Sequence, residues 1–150
     1  MEYRIDEKDR KILEVLKEHG EFTTRQISKK TLLPPTTIHN RIKSLRKEGV
    51  IRKYTIDIDS KKTGRGFSAY ILISANLRVL KEKHMSQYDV VKELNRIPNV
   101  EKVHIVSGGT DIIAFVRAKD VEEYDRILLE RIQLIEGIDN TQSLIVLHGD

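Results

Sequence analysis

The spacing of apolar residues changes along this 150-residue chain, and that change limits the folds open to it. In the first fifty residues apolar side chains recur three and four positions apart, as they do on one face of a helix. After residue 66 they form runs such as FSAYILISA, which are typical of buried strands. The polar, glycine-bearing segment 60–66 separates the two patterns. We predict a helical domain over residues 1–50, a wing or linker strand and hinge over 51–66, and an α+β domain over 67–150.

Three helices are predicted in the first domain from their capping signals. Asp6 can cap a helix over about 6–19, and Thr23 with Gln26 can form a capping box for a helix over about 24–30. Pro34 and Pro35 favour the start of a third helix over about 35–48. Two helices joined by a short turn, the second of them basic, are typical of the helix-turn-helix proteins that bind DNA.

The outer face of the third helix carries groups that recognise nucleic acid. Ile38, Ile42 and Leu45 are spaced by four and three, so they share the inner face. The opposite side bears hydroxyl, imidazole, amide and ammonium groups, which donate to phosphates or read base edges in a major groove. An ordinary amphipathic helix with a polar outer side is the alternative interpretation. The candidate groove residues are Thr36, His39, Asn40 and Lys43, and Thr37 is a further candidate DNA-binding residue.

The positive charge of the chain is confined to its first part. The net charge is +4, and residues 1–60 account for all of it, with fourteen Lys and Arg against ten Asp and Glu. Such a focused field suits a polyanion, although a solvated basic face would have the same composition. The run IRKYTIDID alternates like a strand, and such a strand beside the third helix would present its basic residues to the DNA backbone. The candidate phosphate contacts are Arg25, Arg46, Lys47, Arg52 and Lys53.

The second domain has the element order βαββαβ. Strands are predicted over about 67–75, 100–106, 111–116 and 141–147, and helices over about 86–96 and 120–135. The segments IPNVE at 97–101 and IEGID at 135–139 each lie between a helix and a strand, so the domain resembles two related βαβ halves. This order favours a ferredoxin-like sandwich whose open sheet face needs a second subunit. We predict that the last helix buries Val121, Tyr124, Leu128, Ile132 and Ile135.

Several classes of chemistry are excluded by composition. The absence of cysteine removes disulfides, thiolate metal sites and cysteine nucleophiles. The five histidines are scattered without metal-ligand spacing, and no phosphate-cradling glycine loop occurs, so we predict neither an enzyme nor a metal site nor a cofactor. The longest apolar stretch, AYILI, is far shorter than the roughly 18 residues of a membrane span. The charged N-terminus does not fit a signal peptide, and we therefore predict a cytoplasmic protein that has no membrane partner.

Four segments taken together resemble the Lrp/AsnC family, the leucine-responsive or feast/famine transcription regulators, over essentially the whole chain. They are IDEKDRKILEVL, LPPTTIHNRIKSLRKEGVIRKYTIDID, SGGTDIIAFV and IDNTQSLIVL. The resemblance implies an N-terminal winged helix-turn-helix domain joined to a ligand-sensing domain that pairs into homodimers, often tetramers or octamers. It also implies double-stranded promoter DNA as a partner, commonly the protein's own promoter, and an amino acid or related metabolite bound between dimers.

The resemblance places the effector site at Gly108, Gly109, Thr110 and Asp111, with Thr141 and Ser143 added by a neighbouring dimer. Adjacent glycines let backbone amides approach a carboxylate, and Asp111 could pair with an α-ammonium group. The alternative is a hairpin turn that needs glycine for its backbone angles.

Three departures from the family pattern bear on these expectations. The family commonly has glycine where this chain has Leu32, serine where it has Pro34, and an aromatic residue and a second carboxylate in the sensing loop. The loop of this chain therefore fits either a different ligand or none. An effector-independent protein that organises DNA is the alternative function.

Overall fold

A computed structural model describes residues 3–148, which form two compact units that divide between Asp57 and Ile58. The first unit contains α1 (Glu7–Glu18), α2 (Thr24–Thr31) and α3 (Pro35–Lys47). The second contains β1 (Phe67–Ala75), α4 (Leu77–Glu82), α5 (Gln87–Asn95), β2 (Val100–Ile105), β3 (Ile112–Ala118), α6 (Val121–Ile127), a π-helical turn (Leu128–Ile132) and β4 (Ile138–Ile145).

The first unit confirms the three helices and their predicted caps. The Asp6 side chain accepts from the Asp9 amide at the start of α1, and Thr23 and Gln26 form the reciprocal capping box of α2. Each helix contributes one isoleucine that is almost fully buried to a common core, and these are Ile12, Ile27 and Ile38. The spacing of apolar residues along each helix therefore predicts correctly which face of that helix is buried.

The turn between α2 and α3 contains a strained residue. Leu32 follows α2 in the left-handed conformation with φ at 58°, and its side chain is 88% exposed. A residue with a Cβ atom in this region costs about 1–2 kcal/mol, which glycine avoids. The next helix begins at Pro35 without a side-chain cap, as Pro34 requires. The departures at Leu32 and Pro34 are thus accommodated without a change in the helix-turn-helix plan.

The run IRKYTIDID, predicted as a strand, is not paired as one within the described chain. Between α3 and β1 the described residues form no strand, and residues 52–59 are exposed. The alternation of the run is real, but a strand also needs a neighbour that accepts and donates its backbone hydrogen bonds. The described part of the chain supplies none there, so Arg52 and Lys53 lie on a segment without helix or strand.

The second unit confirms the ferredoxin-like arrangement. Its four strands form one antiparallel sheet in the order β2-β3-β1-β4, with Ile71 of β1 between Ala114 of β3 and Ser143 of β4. The two repeated segments form the same turn, since the amide of Val100 bonds to the carbonyl of Ile97 and that of Ile138 to Ile135. The short helix α4, capped by Asn76, has no counterpart among the elements predicted from the sequence.

Helices cover one face of this sheet. Alternate residues of the two central strands are fully buried beneath them, and they are Ala69, Ile71, Ile73, Ile112, Ala114, Val116 and Ala118. From the last helical segment Tyr124 and Ile132 are buried, and Leu128 and Ile135 pack partly against the same core. The burial predicted for Val121 is wrong: it begins α6 directly after the cap Asp120 and is 57% exposed.

The other face of the sheet is open and apolar. Tyr70 and Leu144 are opposite each other in register, and each is 46% exposed. The Tyr70 ring lies 4.8 Å from the Phe115 ring, and the Arg117 guanidinium lies 5.0 Å from the centre of the Phe115 ring. We call this surface the open sheet face and define it by Tyr70, Leu72, Ile113, Phe115 and Leu144.

Candidate nucleic-acid interface and ligand loop

The outer side of α3 presents the predicted groove residues to solvent. Ile38 and Leu45 are fully buried, so the opposite side of the same helix is directed outward. Thr37 is only partly exposed, which places it at the flank of this surface. We call the outward residues the α3 outer face, and they are Thr36, His39, Asn40, Lys43 and Lys47, all of them exposed.

The predicted phosphate contacts carry charges that the described protein does not neutralise. Arg25 on α2, Arg46 in the last turn of α3, and Arg52 and Lys53 beyond α3 are all exposed. Within residues 3–148 none of these four, nor Lys43 or Lys47, forms an ion pair. Their side chains are therefore available to an anion such as a DNA phosphate.

Arg41 is the exception among the basic residues of α3. Its Nη1 donates to Asp6 Oδ2 and, at 3.2 Å, to both carboxylate oxygens of Asp9. The hydrogen bond from the Asp9 amide, followed by that from Arg41, holds the pKa of the Asp6 carboxyl below its ordinary value, and the bond to Asp6 raises the pKa of Arg41. The charge of Arg41 is therefore compensated by the carboxylates of Asp6 and Asp9, unlike those of Arg46 and Lys47 in the same helix. Sequence spacing gave no sign of this contact, because it joins residues 32 and 35 positions apart.

The predicted ligand loop connects β2 to β3. Gly108 has φ at +142°, a conformation that residues with a Cβ atom rarely adopt. No atom lies within 4 Å of where a Cβ atom would stand on Gly108 or Gly109. The turn thus needs glycine at the first position for its backbone, and both positions leave open space over the loop.

The side chains that follow the glycines turn back onto the end of β1. Thr110 Oγ1 donates to the Ile73 carbonyl at 3.0 Å. Asp111 Oδ2 accepts from the Ala75 amide at 2.8 Å, and its Oδ1 accepts from Gln87 Nε2 at 3.2 Å. The carboxylate therefore links β1 to the start of α5. Each carboxylate oxygen has a second acceptor site, so this role leaves capacity for a further donor.

Thr141 and Ser143 lie on the helix-covered side of β4, opposite Ile73 and Ile71. Thr141 Oγ1 accepts from Gln133 Nε2 at 2.8 Å, and Ser143 Oγ lies 2.5 Å from the Tyr124 hydroxyl. Burial raises the pKa of Tyr124, partly offset by that hydrogen bond. Ile73 thus has Thr141 on one side and Thr110 on the other, while Ser143 is two residues further along β4.

Two further properties of residues 3–148 bear on other classes of function. No group of three or more His, Cys, Asp or Glu residues in that range could hold a metal ion. In the same range, no helix has both the length and the apolar character needed to cross a membrane.

Comparison with known proteins identifies both units. A family model described as the Lrp/AsnC ligand binding domain matches residues 70–149, and one described as winged helix-turn-helix DNA-binding matches residues 5–52. PH1916 of Pyrococcus horikoshii, named an uncharacterized HTH-type transcriptional regulator, is 38% identical over 141 residues, which cover 94% of this chain and 91% of that protein.

Two solved structures share the whole fold. One is the transcriptional regulator NMB0573 of Neisseria meningitidis, solved as a complex with L-Met, which has a TM-score of 0.87 at 25% identity. The match covers 97% of this chain and 91% of the NMB0573 chain. AsnC of E. coli has a TM-score of 0.83 at 26% identity, with coverage of 98% and 95%. The chain belongs to the Lrp/AsnC family of DNA-binding transcriptional regulators.

Proposed function

We propose that this regulator reads promoter DNA by placing the α3 outer face in the major groove. The observation that carries the proposal is the set of exposed polar and basic side chains on one side of a helix whose Ile38 and Leu45, on the other side, are fully buried. In this arrangement Thr36, His39, Asn40 and Lys43 face base edges, with Thr37 at the flank. Arg25, Arg46, Lys47, Arg52 and Lys53 neutralise phosphates around them. A protein that acts on promoter DNA works in the compartment that holds the chromosome, and we place it in the cytoplasm on that ground, as a regulator and not an enzyme.

Two substitutions separate base recognition from phosphate neutralisation. Asn40→Ala should cost about 1–3 kcal/mol on the preferred duplex and relax the preference at one position, because an amide paired with an adenine edge discriminates between bases. Lys47→Ala should weaken binding to all duplexes alike and lower the salt dependence of log K by about one. The measurement is a titration on the duplex upstream of the coding region and on a scrambled duplex, at several salt concentrations.

The control for this titration is Lys92→Ala, which removes the same charge from the last turn of α5 in the other unit. It should leave both the preference and the salt dependence unchanged. An unchanged preference in Asn40→Ala would contradict the groove assignment of that residue. Equal binding of the wild-type protein to both duplexes would instead favour the effector-independent protein that organises DNA.

We propose further that the protein is a homodimer formed through the open sheet face. Tyr70, Phe115 and Leu144 leave aromatic and aliphatic surface uncovered on a sheet whose other face is packed with helices. Contiguous apolar surface of this kind marks a contact with another protein, and a self-complementary face produces a symmetric pair. Dimers of this kind can assemble further into a tetramer or an octamer.

The proposed effector is an amino acid bound at Gly108, Gly109, Thr110 and Asp111, with Thr141 and Ser143 of a neighbouring dimer. The open space over the two glycines and the remaining acceptor capacity of Asp111 support this proposal. The likeness to the N. meningitidis regulator solved with L-Met supports it as well. The Asp111 carboxylate would bind the α-ammonium group while it retains its bonds to Ala75 and Gln87.

The effector proposal is tested by Asp111→Asn. Asparagine keeps an oxygen for the Ala75 amide, so the fold should persist, but it loses the charge that favours an ammonium group. A hydrogen bond to a charged group contributes about 1.5–3 kcal/mol, and we expect amino-acid affinity to fall by that amount. Calorimetric titration with L-methionine and then with each other amino acid measures the loss. Asp125→Asn, an exposed aspartate of α6, is the control, and equal affinity in both variants would contradict the assignment.

A further inference from the structure

Arg41 occupies the middle of α3, yet its guanidinium is directed to the N-terminus of α1. The two carboxylates that it contacts also form the capping box of α1. The Asp9 amide donates to Asp6 Oδ1 at 2.9 Å, and the Asp6 amide donates to Asp9 Oδ2 at 3.1 Å. One side chain of α3 is therefore hydrogen-bonded to both acidic groups of the cap.

Because Asp9 is buried, its carboxylate depends on this contact with Arg41. Asp9 is 0% exposed, and its carboxylate accepts from the Asp6 amide, from the Tyr3 hydroxyl at 3.3 Å and from Arg41. A buried carboxylate is stable only when a cation and hydrogen-bond donors compensate its charge. Arg41 supplies that cation, so any movement of α3 that withdraws Arg41 would leave Asp9 uncompensated.

The apolar contact between α1 and α3 does not impose the same constraint. Ile12 and Ile38 share the core of the unit, but hydrophobic contact is non-directional and tolerates small rotations of a helix about its axis. Hydrogen bonds weaken steeply when their angle departs from linearity. The contact of Arg41 with two carboxylates therefore fixes the rotation of α3 about its axis and its position along that axis, both relative to α1.

We infer that Asp6, Asp9 and Arg41 form a positioning cluster that holds α3 in its DNA-binding orientation. Arg41 is then a positioning residue that acts on DNA through the placement of its neighbours Asn40 and Lys43. The inference rests on the proposed use of the α3 outer face. It separates Arg41 from Arg46 and Lys47 of the same helix, whose charges are proposed to act on phosphates.

One substitution distinguishes positioning from electrostatics, because the two effects change the DNA affinity in opposite directions. Asp9→Asn removes a negative charge from the DNA-binding unit, and long-range electrostatics alone would then strengthen binding to a polyanion. Loss of positioning has the opposite effect, because a binding-competent orientation populated a tenth of the time raises the apparent Kd about tenfold. We expect Asp9→Asn to weaken binding about tenfold on the duplex upstream of the coding region.

The matched control is Glu7→Gln. Glu7 lies in the same first turn of α1, is exposed and pairs only with Lys11 at 3.1 Å among the described residues. Its removal changes the net charge by the same amount without touching the positioning cluster. We expect unchanged or slightly tighter binding from Glu7→Gln. Binding by Asp9→Asn that equals or exceeds that of Glu7→Gln would overturn the inference.

Arg41→Gln tests whether Arg41 itself contacts phosphate. Binding should weaken while the dependence of log K on log salt stays as in the wild type, whereas Lys47→Ala should lower that slope by about one. A fall of about one in Arg41→Gln would show a direct phosphate contact and overturn the positioning role. An unchanged slope in Lys47→Ala would contradict the proposed contact of α3 with phosphates instead, so the two failures are distinguishable.

Amide hydrogen exchange in the free protein tests the cluster without DNA. In Asp9→Asn the amides of α3 should exchange faster than in Glu7→Gln, while those of the second unit stay unchanged. Equal exchange of α3 in the two variants would overturn the inference. If Asp9→Asn does not fold at the assay temperature, Arg41→Lys replaces it in both assays. Lys keeps the charge but replaces the guanidinium with a single ammonium, so we expect weaker binding at an unchanged salt slope, and wild-type affinity and exchange would overturn the inference.

Discussion

Replacing Gly137 with alanine is expected to lower the free energy of unfolding of the second unit by about 3 kcal/mol. An added Cβ atom would stand 2.3 Å from Leu80 Cδ2 and 3.3 Å from Val90 Cγ2. Leu80 is 3% exposed and packed in the core, so it has little room to withdraw. Overpacking of this kind costs about 1–3 kcal/mol, and φ at +92° adds about 1–2 kcal/mol for a residue with a Cβ atom.

Two other glycines separate these contributions. Gly64 has φ at +77° but no atom within 4 Å of an added Cβ atom, so Gly64→Ala should show only the backbone cost. Gly109 has neither feature, and Gly109→Ala should leave stability unchanged. Urea unfolding followed by circular dichroism measures the free energy of unfolding of all three alanine variants. A loss in Gly137→Ala no larger than that in Gly64→Ala would mean that Leu80 gives way and that the close approach is not limiting.

The position of Gly137 also connects the fold to the proposed effector site. Its carbonyl accepts from the amide of Asn76 at 2.8 Å, directly after the Ala75 amide that donates to Asp111. The end of β1 is thus fixed from two sides by two consecutive amides. A shift of Gly137 should therefore disturb the carboxylate of Asp111 as well as the packing of α4.

Local patterns predicted most helices and strands because each contained its own signal. The capping residues Asp6 and Thr23 determine where α1 and α2 begin, and the buried runs of β1 and β3 specify the central strands. By contrast, α4 spans only six residues, too few for a periodic pattern, and its buried Leu80 packs against Gly137, 57 positions later. The single helix predicted over 120–135 is interrupted by a π-helical turn that the pattern did not reveal.

In the candidate site, too, local patterns predicted some features and missed others. Exposure of His39, Asn40 and Lys43 follows from helical periodicity, because the buried face is defined by nearby isoleucines. The contacts of Arg41 with Asp9 and of Asp111 with Ala75 join residues more than thirty positions apart. No spacing rule covers such contacts, which arise only when the helices or strands pack together. The sequence therefore predicted which side chains of α3 are exposed, but not the long-range contacts that Arg41 and Asp111 form.

The open sheet face gives the second large expected effect, in the variant Leu144→Glu. In the proposed homodimer Leu144 and its neighbour Tyr70 are covered by the partner subunit, so a carboxylate there would be buried without a cation. The resulting penalty is several kcal/mol, and we expect the dimer to be weakened by about 3 kcal/mol or more. Leu144 is 46% exposed in the single chain, so the fold of each unit should be retained. Analytical ultracentrifugation measures the dissociation constant, with circular dichroism as the check on folding.

The control is Leu134→Glu, which introduces the same charge at a leucine that is 73% exposed and lies just beyond the π-helical turn. It should leave the dimer intact, and equal dimerisation of the two variants would contradict an interface on the open sheet face. The effect on DNA follows from symmetry, because a dimer binds two half-sites at once whereas a monomer binds one. Leu144→Glu should therefore lose operator affinity although every residue of the α3 outer face is unchanged. Such a loss would show that recognition by α3 depends on a surface in the other unit.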